Sequence, residues 1–151
     1  MKKLILLFVA VLTLVSCHEN DSESYTYEFL PTEEVTIPEE EMIIGETYLI
    51  SMDYVLPTTC DSYDRLFYEK SKLREVVDGE TIITEIRTLA IVARTVVTSD
   101  SECDDINEEA QTNIEFTPIV AGPYIFKFWV GRDEDGKDVF EEYPVQVSEK
   151  N

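Results

Sequence analysis

The residues of this chain that could do chemistry are its carboxylates, three cysteines and one aromatic-rich run. Asp133-Glu134-Asp135-Gly136-Lys137-Asp138 places three aspartates on a tight turn, where several oxygens could converge on a hard cation such as calcium. Glu142 falls six residues after Gly136, but Gly131 stands where a further aspartate would complete such a loop. The simpler reading is an acidic hairpin turn. In the run before it, Tyr124, Phe126 and Phe128 share one strand face, which leaves Lys127 and Trp129 on the other with Phe140 across the hairpin. An outward tryptophan beside a phenylalanine could stack on a sugar ring or anchor a protein partner. Catalysis has little material. The single histidine is His18, so the domain that follows can build no Ser-His-Asp or Cys-His arrangement. The five glycines are scattered and form no phosphate-cradling loop. A carboxylate pair for glycoside hydrolysis is the remaining catalytic alternative, yet acids this numerous are mostly a solvated face. The chain reads as a non-enzyme with no implied cofactor, calcium being the one cation its loops could take.

The elements that must position these residues begin with the N-terminus. Lys2 and Lys3 precede an apolar run over residues 4–12, the pattern of a secretory signal and too short for a permanent span. Acidic residues number 32 against 12 basic ones, a formal charge of −20. Removing residues 1–16 takes away Lys2 and Lys3 and no acid, so the remainder is more negative still. Such a surface repels nucleic acid and anionic lipid and leaves cations and basic partners as its electrostatic complements. Cys60 and Cys103 form an even pair in an exported domain, for which a disulfide is expected. A metal pair lacks partner ligands.

The rest alternates apolar and polar residues between turn signals. Residues 25–29, a short piece at 35–37, 46–56, 64–77, 81–98, 111–117 and the hairpin 121–147 read as strands. Asp78-Gly79 and Asp135-Gly136 mark hairpin turns, and a break near Arg87 would divide 81–98 in two. Pro144 cannot donate to a ladder, which places the last strand at a sheet edge. No helix has caps and an amphipathic face. The expectation is one all-β, antiparallel β-sandwich of seven to eight strands over residues 25–151. Strands of alternating direction would gather the Cys60 loop, the Cys103 loop and the 133–138 turn at one end. Asp61, Asp100, Glu102, Asp104, Asp105, Asp133, Asp135 and Asp138 would then crowd together there.

Two resemblances sharpen this reading. Leu14-Val15-Ser16-Cys17 resembles the lipobox of bacterial lipoproteins. It implies removal of residues 1–16, lipidation of Cys17, an acidic tether over residues 17–24 and attachment to a membrane. His18 in place of aspartate implies the outer membrane, on its periplasmic or its outer side. Glu19, Asp21 and Glu23 resemble the acids that follow the anchor in surface-exported lipoproteins of Bacteroidota. Ala121-Gly122-Pro123-Tyr124-Ile125-Phe126 resembles the G-x-Y-x-C motif of immunoglobulin-like domains. It implies that Tyr124 closes a corner by a backbone hydrogen bond, with Phe126 in the cysteine position. With the missing catalytic residues and the acidic surface, they suggest a lipid-anchored envelope protein acting as a non-catalytic interaction or structural module, its partner an envelope protein or a glycan and not a nucleic acid. The alternative is a calcium- or glycan-binding surface protein using the acidic loops or the Trp129 face.

Overall fold

The computed structural model describes residues 24–38, 41–97 and 102–150. Among them every regular element is a strand: β1 (Ser24–Leu30), β2 (Thr32–Thr36), β3 (Met42–Ile43), β4 (Tyr48–Thr58), β5 (Asp61–Val77), β6 (Glu80–Val97), β7 (Asp105–Phe116), β8 (Gly122–Arg132) and β9 (Asp138–Ser148). They form the expected all-β sandwich. One sheet holds β2, β4 and β7 in that order, and the other holds the remaining six strands. The count rises to nine because β3 is an added two-residue strand, and the chain changes sheets at Pro31. There β1 leaves its ladder with β6, and β2 joins β4. Proline lacks an N–H, so its position between two ladders leaves no donor unpaired.

β6 is the hub. β5 pairs along one of its edges from Val77↔Glu80 to Asp61↔Thr95. The opposite edge is shared by β8 against residues 85–89 and β1 against residues 91–97. No glycine or proline interrupts β6, and it runs unbroken through Arg87, where a division was expected. Arg87 needs no break to reach water, because it is buried against Glu85, 3.1 Å away. The larger sheet is mixed rather than purely antiparallel, with β6–β8 and β3–β9 parallel. The cause is the intervening β7. The chain crosses to the other sheet, reverses, and returns alongside β6 in the same direction.

The alternation that made these strands also makes the core. Ile50 and Met52 on β4 face Leu89 and Ile91 on β6 and Tyr124, Phe126 and Phe128 on β8, all fully buried. Phe116 closes the layer edge-on to Phe126, ring centroids 4.9 Å apart. Burying each such ring stabilises the fold by roughly 2–3 kcal/mol.

The strand directions define two ends. At one, Ser24 pairs with Val97, Thr58 with Asp105, and the Val96 N–H donates to the Cys60 carbonyl. Cys60 and Cys103 are joined there by the expected disulfide, with Cα atoms 5.4 Å apart. The 133–138 turn belongs to the same end, because β8 runs parallel to β6. At the other end β5 and β6 continue past the rest of the sheet as a two-stranded arm. Its turn is Asp78-Gly79, with φ of 52° and 88°, the left-handed pair a tight hairpin requires. Residues 69–83 of this arm are all exposed.

Candidate functional site

The acidic end is braced by its own hydrogen bonds. The Asp61 carboxylate accepts from the Thr58 amide at 3.0 Å, the Thr58 hydroxyl at 2.6 Å and the Thr95 hydroxyl at 2.6 Å. Partial burial works to raise this carboxyl, but the three donors together outweigh it and hold it below its ordinary value. Across the disulfide, the Thr59 N–H donates to the Asp104 carbonyl at 2.9 Å, and the Asp104 N–H donates to the Thr59 hydroxyl at 3.1 Å. The hairpin turn is self-contained in the same way. The Asp133 carboxylate accepts the amides of Asp135 and Lys137 at 3.0 and 2.8 Å. Asp138 accepts from the Trp129 indole at 3.0 Å and from Arg132 at 3.1 Å, and these donors hold its carboxyl below its usual range. Asp135 points to Lys137, 3.7 Å away. Asp133, Asp135 and Asp138 therefore turn to donors of their own hairpin. Among the described residues no three acidic, cysteine or histidine side chains are grouped to hold a metal. Asp100 and Cys17, the expected lipidation site, lie outside the described residues.

The expected outward Trp129 face is corrected by the structure. A bulge between Trp129 and Gly131 shifts the β8–β9 register, and Phe29 of β1 packs on the indole with ring centroids 5.5 Å apart. Trp129 is left 6% exposed. Phe140 does lie across from Trp129 in the hairpin. Lys127, however, sits over the Phe140 ring at 5.6 Å and pairs with Glu142 at 2.8 Å, so this trio is a closed contact. The tyrosine corner is corrected as well. Tyr124 lies within the β8 ladder, opposite Val145 and level with Glu85. Its buried hydroxyl finds no hydrogen-bond partner, so it closes no corner.

The same packing that buries Trp129 builds a groove. β1 and β8 diverge where they share the edge of β6, and the hollow between them is lined by Tyr27, Phe29, Phe67 and Trp129 with Arg65 and Arg132 at its rim. Its volume is about 820 Å³, within the range of small-ligand clefts. Phe67 of β5 reaches Phe29 at 5.7 Å, and the Arg65 guanidinium lies 5.4 Å from the Tyr27 ring centre. Tyr27 is 53% exposed. Sequence reading missed this site, although Tyr25, Tyr27 and Phe29 share a strand face. The signal lay in that alternation, whereas the partners Phe67 and Trp129 come from strands whose neighbours only the topology fixes. Comparison with family models, with curated proteins and with solved structures finds no match for this chain.

Proposed function

We propose that the protein is a lipid-anchored, non-catalytic binding module of the bacterial cell envelope, held at the outer membrane through Cys17 and presenting the aromatic groove to a protein partner. The observation that carries the reading is the groove itself: four aromatic rings and two guanidiniums around about 820 Å³. Tyr, Trp, Phe and Arg are the residue types enriched at protein interfaces. The chain's negative charge would speed encounter with a basic partner. The anchor fits this geometry, since the tether meets β1 at the disulfide end. Even fully extended, residues 17–24 reach no more than about 25 Å, which keeps that end towards the membrane and the arm away from it.

The test uses the full-length protein in cells with a benzophenone photocrosslinker in place of Tyr27. A discrete protein adduct is expected, lost in Phe67→Ala and absent when the crosslinker replaces Glu149. No adduct at position 27, or equal adducts at both positions, would refute the groove as the binding face. Half-exposed rings also suit a sugar, so an adduct carrying glycan and no protein would assign the groove to glycan binding. Acyl-chain labelling that persists in Cys17→Ser would remove the anchor.

A further inference from the structure

At the root of the arm, the side of the hairpin that faces the core carries Lys70, Lys72 and Arg74 on β5 and Arg87 and Glu85 on β6. Four cations on one short face stand out in a chain whose acids outnumber its bases 32 to 12. Glu85 answers two of them, accepting from Lys72 at 2.6 Å and from Arg87 at 3.1 Å. Lys70 pairs with no carboxylate among the described residues; its ammonium lies 5.7 Å from the Tyr68 ring centre.

Beneath Lys70 is a cavity of about 240 Å³ lined by Tyr68, Lys70, Arg87, Tyr124, Phe116 and Ile119, with Glu115 also on its wall. Two of its buried groups lack acceptors. The Arg87 side chain is 7% exposed. One of its terminal nitrogens donates to the Ile86 carbonyl at 2.8 Å and the other to Glu85, but Nε has no partner. The Tyr124 hydroxyl, on a residue 1% exposed, has none either. A buried donor is costly to leave without an acceptor, and these two belong to residues that line one cavity with an ammonium at its mouth, an arrangement suited to a negatively charged oxygen ligand. Burial pushes the Tyr68 phenol up in spite of the charge of Arg87 and a hydrogen bond from it, which keeps it a neutral O–H beside the same space.

The cavity also selects among anions. Glu115 on its wall opposes a second negative charge, which favours one carboxylate over a phosphate dianion. Phe116, Ile119 and the tyrosine rings offer an apolar wall for the rest of the ligand. At about 30 Å³ per water, the space equals roughly eight waters, enough for a short organic acid. We propose that this cavity binds a small apolar monocarboxylic acid, with Arg87 Nε and the Tyr124 hydroxyl donating to its oxygens and Lys70 supplying the charge at the mouth. The site is separate from the aromatic groove and stands whether or not the groove binds a protein.

The test is titration of the full-length protein with 3-phenylpropanoate, followed by calorimetry and by the NMR signals of ¹³C-labelled tyrosine. Saturable binding that moves the Tyr124 and Tyr68 signals is expected. The uncharged 3-phenylpropanamide and inorganic phosphate should each bind at least about tenfold more weakly. Lys70→Gln, at the exposed mouth, and Tyr124→Phe, which keeps the ring, should each weaken binding about tenfold with the thermal midpoint undiminished. The proposal is overturned if no saturation is reached by about 10 mM, if the amide or phosphate binds as well as the acid, or if both variants bind like the parent.

Discussion

The two ends of β6 treat charge in opposite ways. At the disulfide end, where the sequence piles up acids, Asp61, Asp133 and Asp138 each accept at least two hydrogen bonds from their own turns or from the strands beside them. At the arm end the scarcer sign collects, and among the described residues Lys70 goes without a carboxylate and the Arg87 Nε and the Tyr124 hydroxyl lack acceptors. An excess of one charge is therefore a poor guide to a site in this molecule. Carboxylates close to backbone amides and hydroxyls satisfy themselves locally. The binding potential lies where strand register brings two buried donors to one cavity and nothing among the described residues answers them. The ends differ in bracing too. One is closed by a covalent bond, whereas the arm is a two-stranded ladder, marginal on its own.

The largest test of that contrast removes the covalent brace. In the chain-entropy model, closing a loop of 43 residues stabilises the fold by about 4 kcal/mol. Cys60→Ser/Cys103→Ser should lower the unfolding free energy by about that much in urea. A loss below about 1 kcal/mol would mean that the Asp61 and Thr59 hydrogen bonds alone close this end. Next in size is Glu85→Ala at the other end. Glu85 and Arg87 are both less than a tenth exposed, and breaking one half of a buried pair costs about 3 kcal/mol or more. Lys72, helped by Arg87 and opposed by burial, holds the Glu85 carboxyl below its ordinary value. Its stabilisation is thus complete above the ordinary glutamate range and is lost as pH falls through the lowered folded value. Urea midpoints of parent and Glu85→Ala should converge in acid. If they stay equally far apart, the ionised pair is not what the substitution removes.

A smaller effect belongs to Asp61→Asn, which weakens charge-assisted bonds from Thr58 and Thr95 and should cost about 2 kcal/mol. The same sign applies, because the Asp61 carboxyl is also lowered: the difference is full near neutral pH and shrinks as the parent carboxylate protonates. A difference independent of pH would reassign the cost to the shape of the loop.

These residues also mark how far the sequence could be read. Alternation fixes Ile50, Met52, Tyr124, Phe126 and Phe128 as core, since period two and apolar side chains admit one inward face, and the structure buries all five, whereas residues 89–93 are apolar without a break and are buried on both faces. The Cys60–Cys103 pairing is legible because the stretch after Cys17 holds two cysteines and offers neither of them another partner. Trp129 is not legible. Its exposure depends on a one-residue bulge and on β1 arriving beside β8, and neither leaves a mark in the local pattern. Arg87 misleads for a related reason: a charge in an apolar run suggests a break, unless a carboxylate two residues earlier is known to be buried with it. The groove and the small cavity need strands distant in the chain, so both follow from β6–β8 pairing and not from any motif.

The smallest expected change is the most discriminating. Tyr124→Phe keeps the ring that packs 5.7 Å from Phe116 and 6.5 Å from Phe126 and removes only a buried hydroxyl with no partner. Losing an orphaned polar group forfeits no hydrogen bond and lifts a desolvation cost, so stability should stay level or rise by up to about 1 kcal/mol. Both variants at the disulfide end remove a made interaction, the covalent bond or the bonds to Asp61, and lose stability, and this one should not. A drop of more than about 1 kcal/mol in urea would show that the hydroxyl already has an acceptor. The arm end would then be as internally satisfied as the acidic end, and the contrast between them would disappear along with the donor that the small cavity needs.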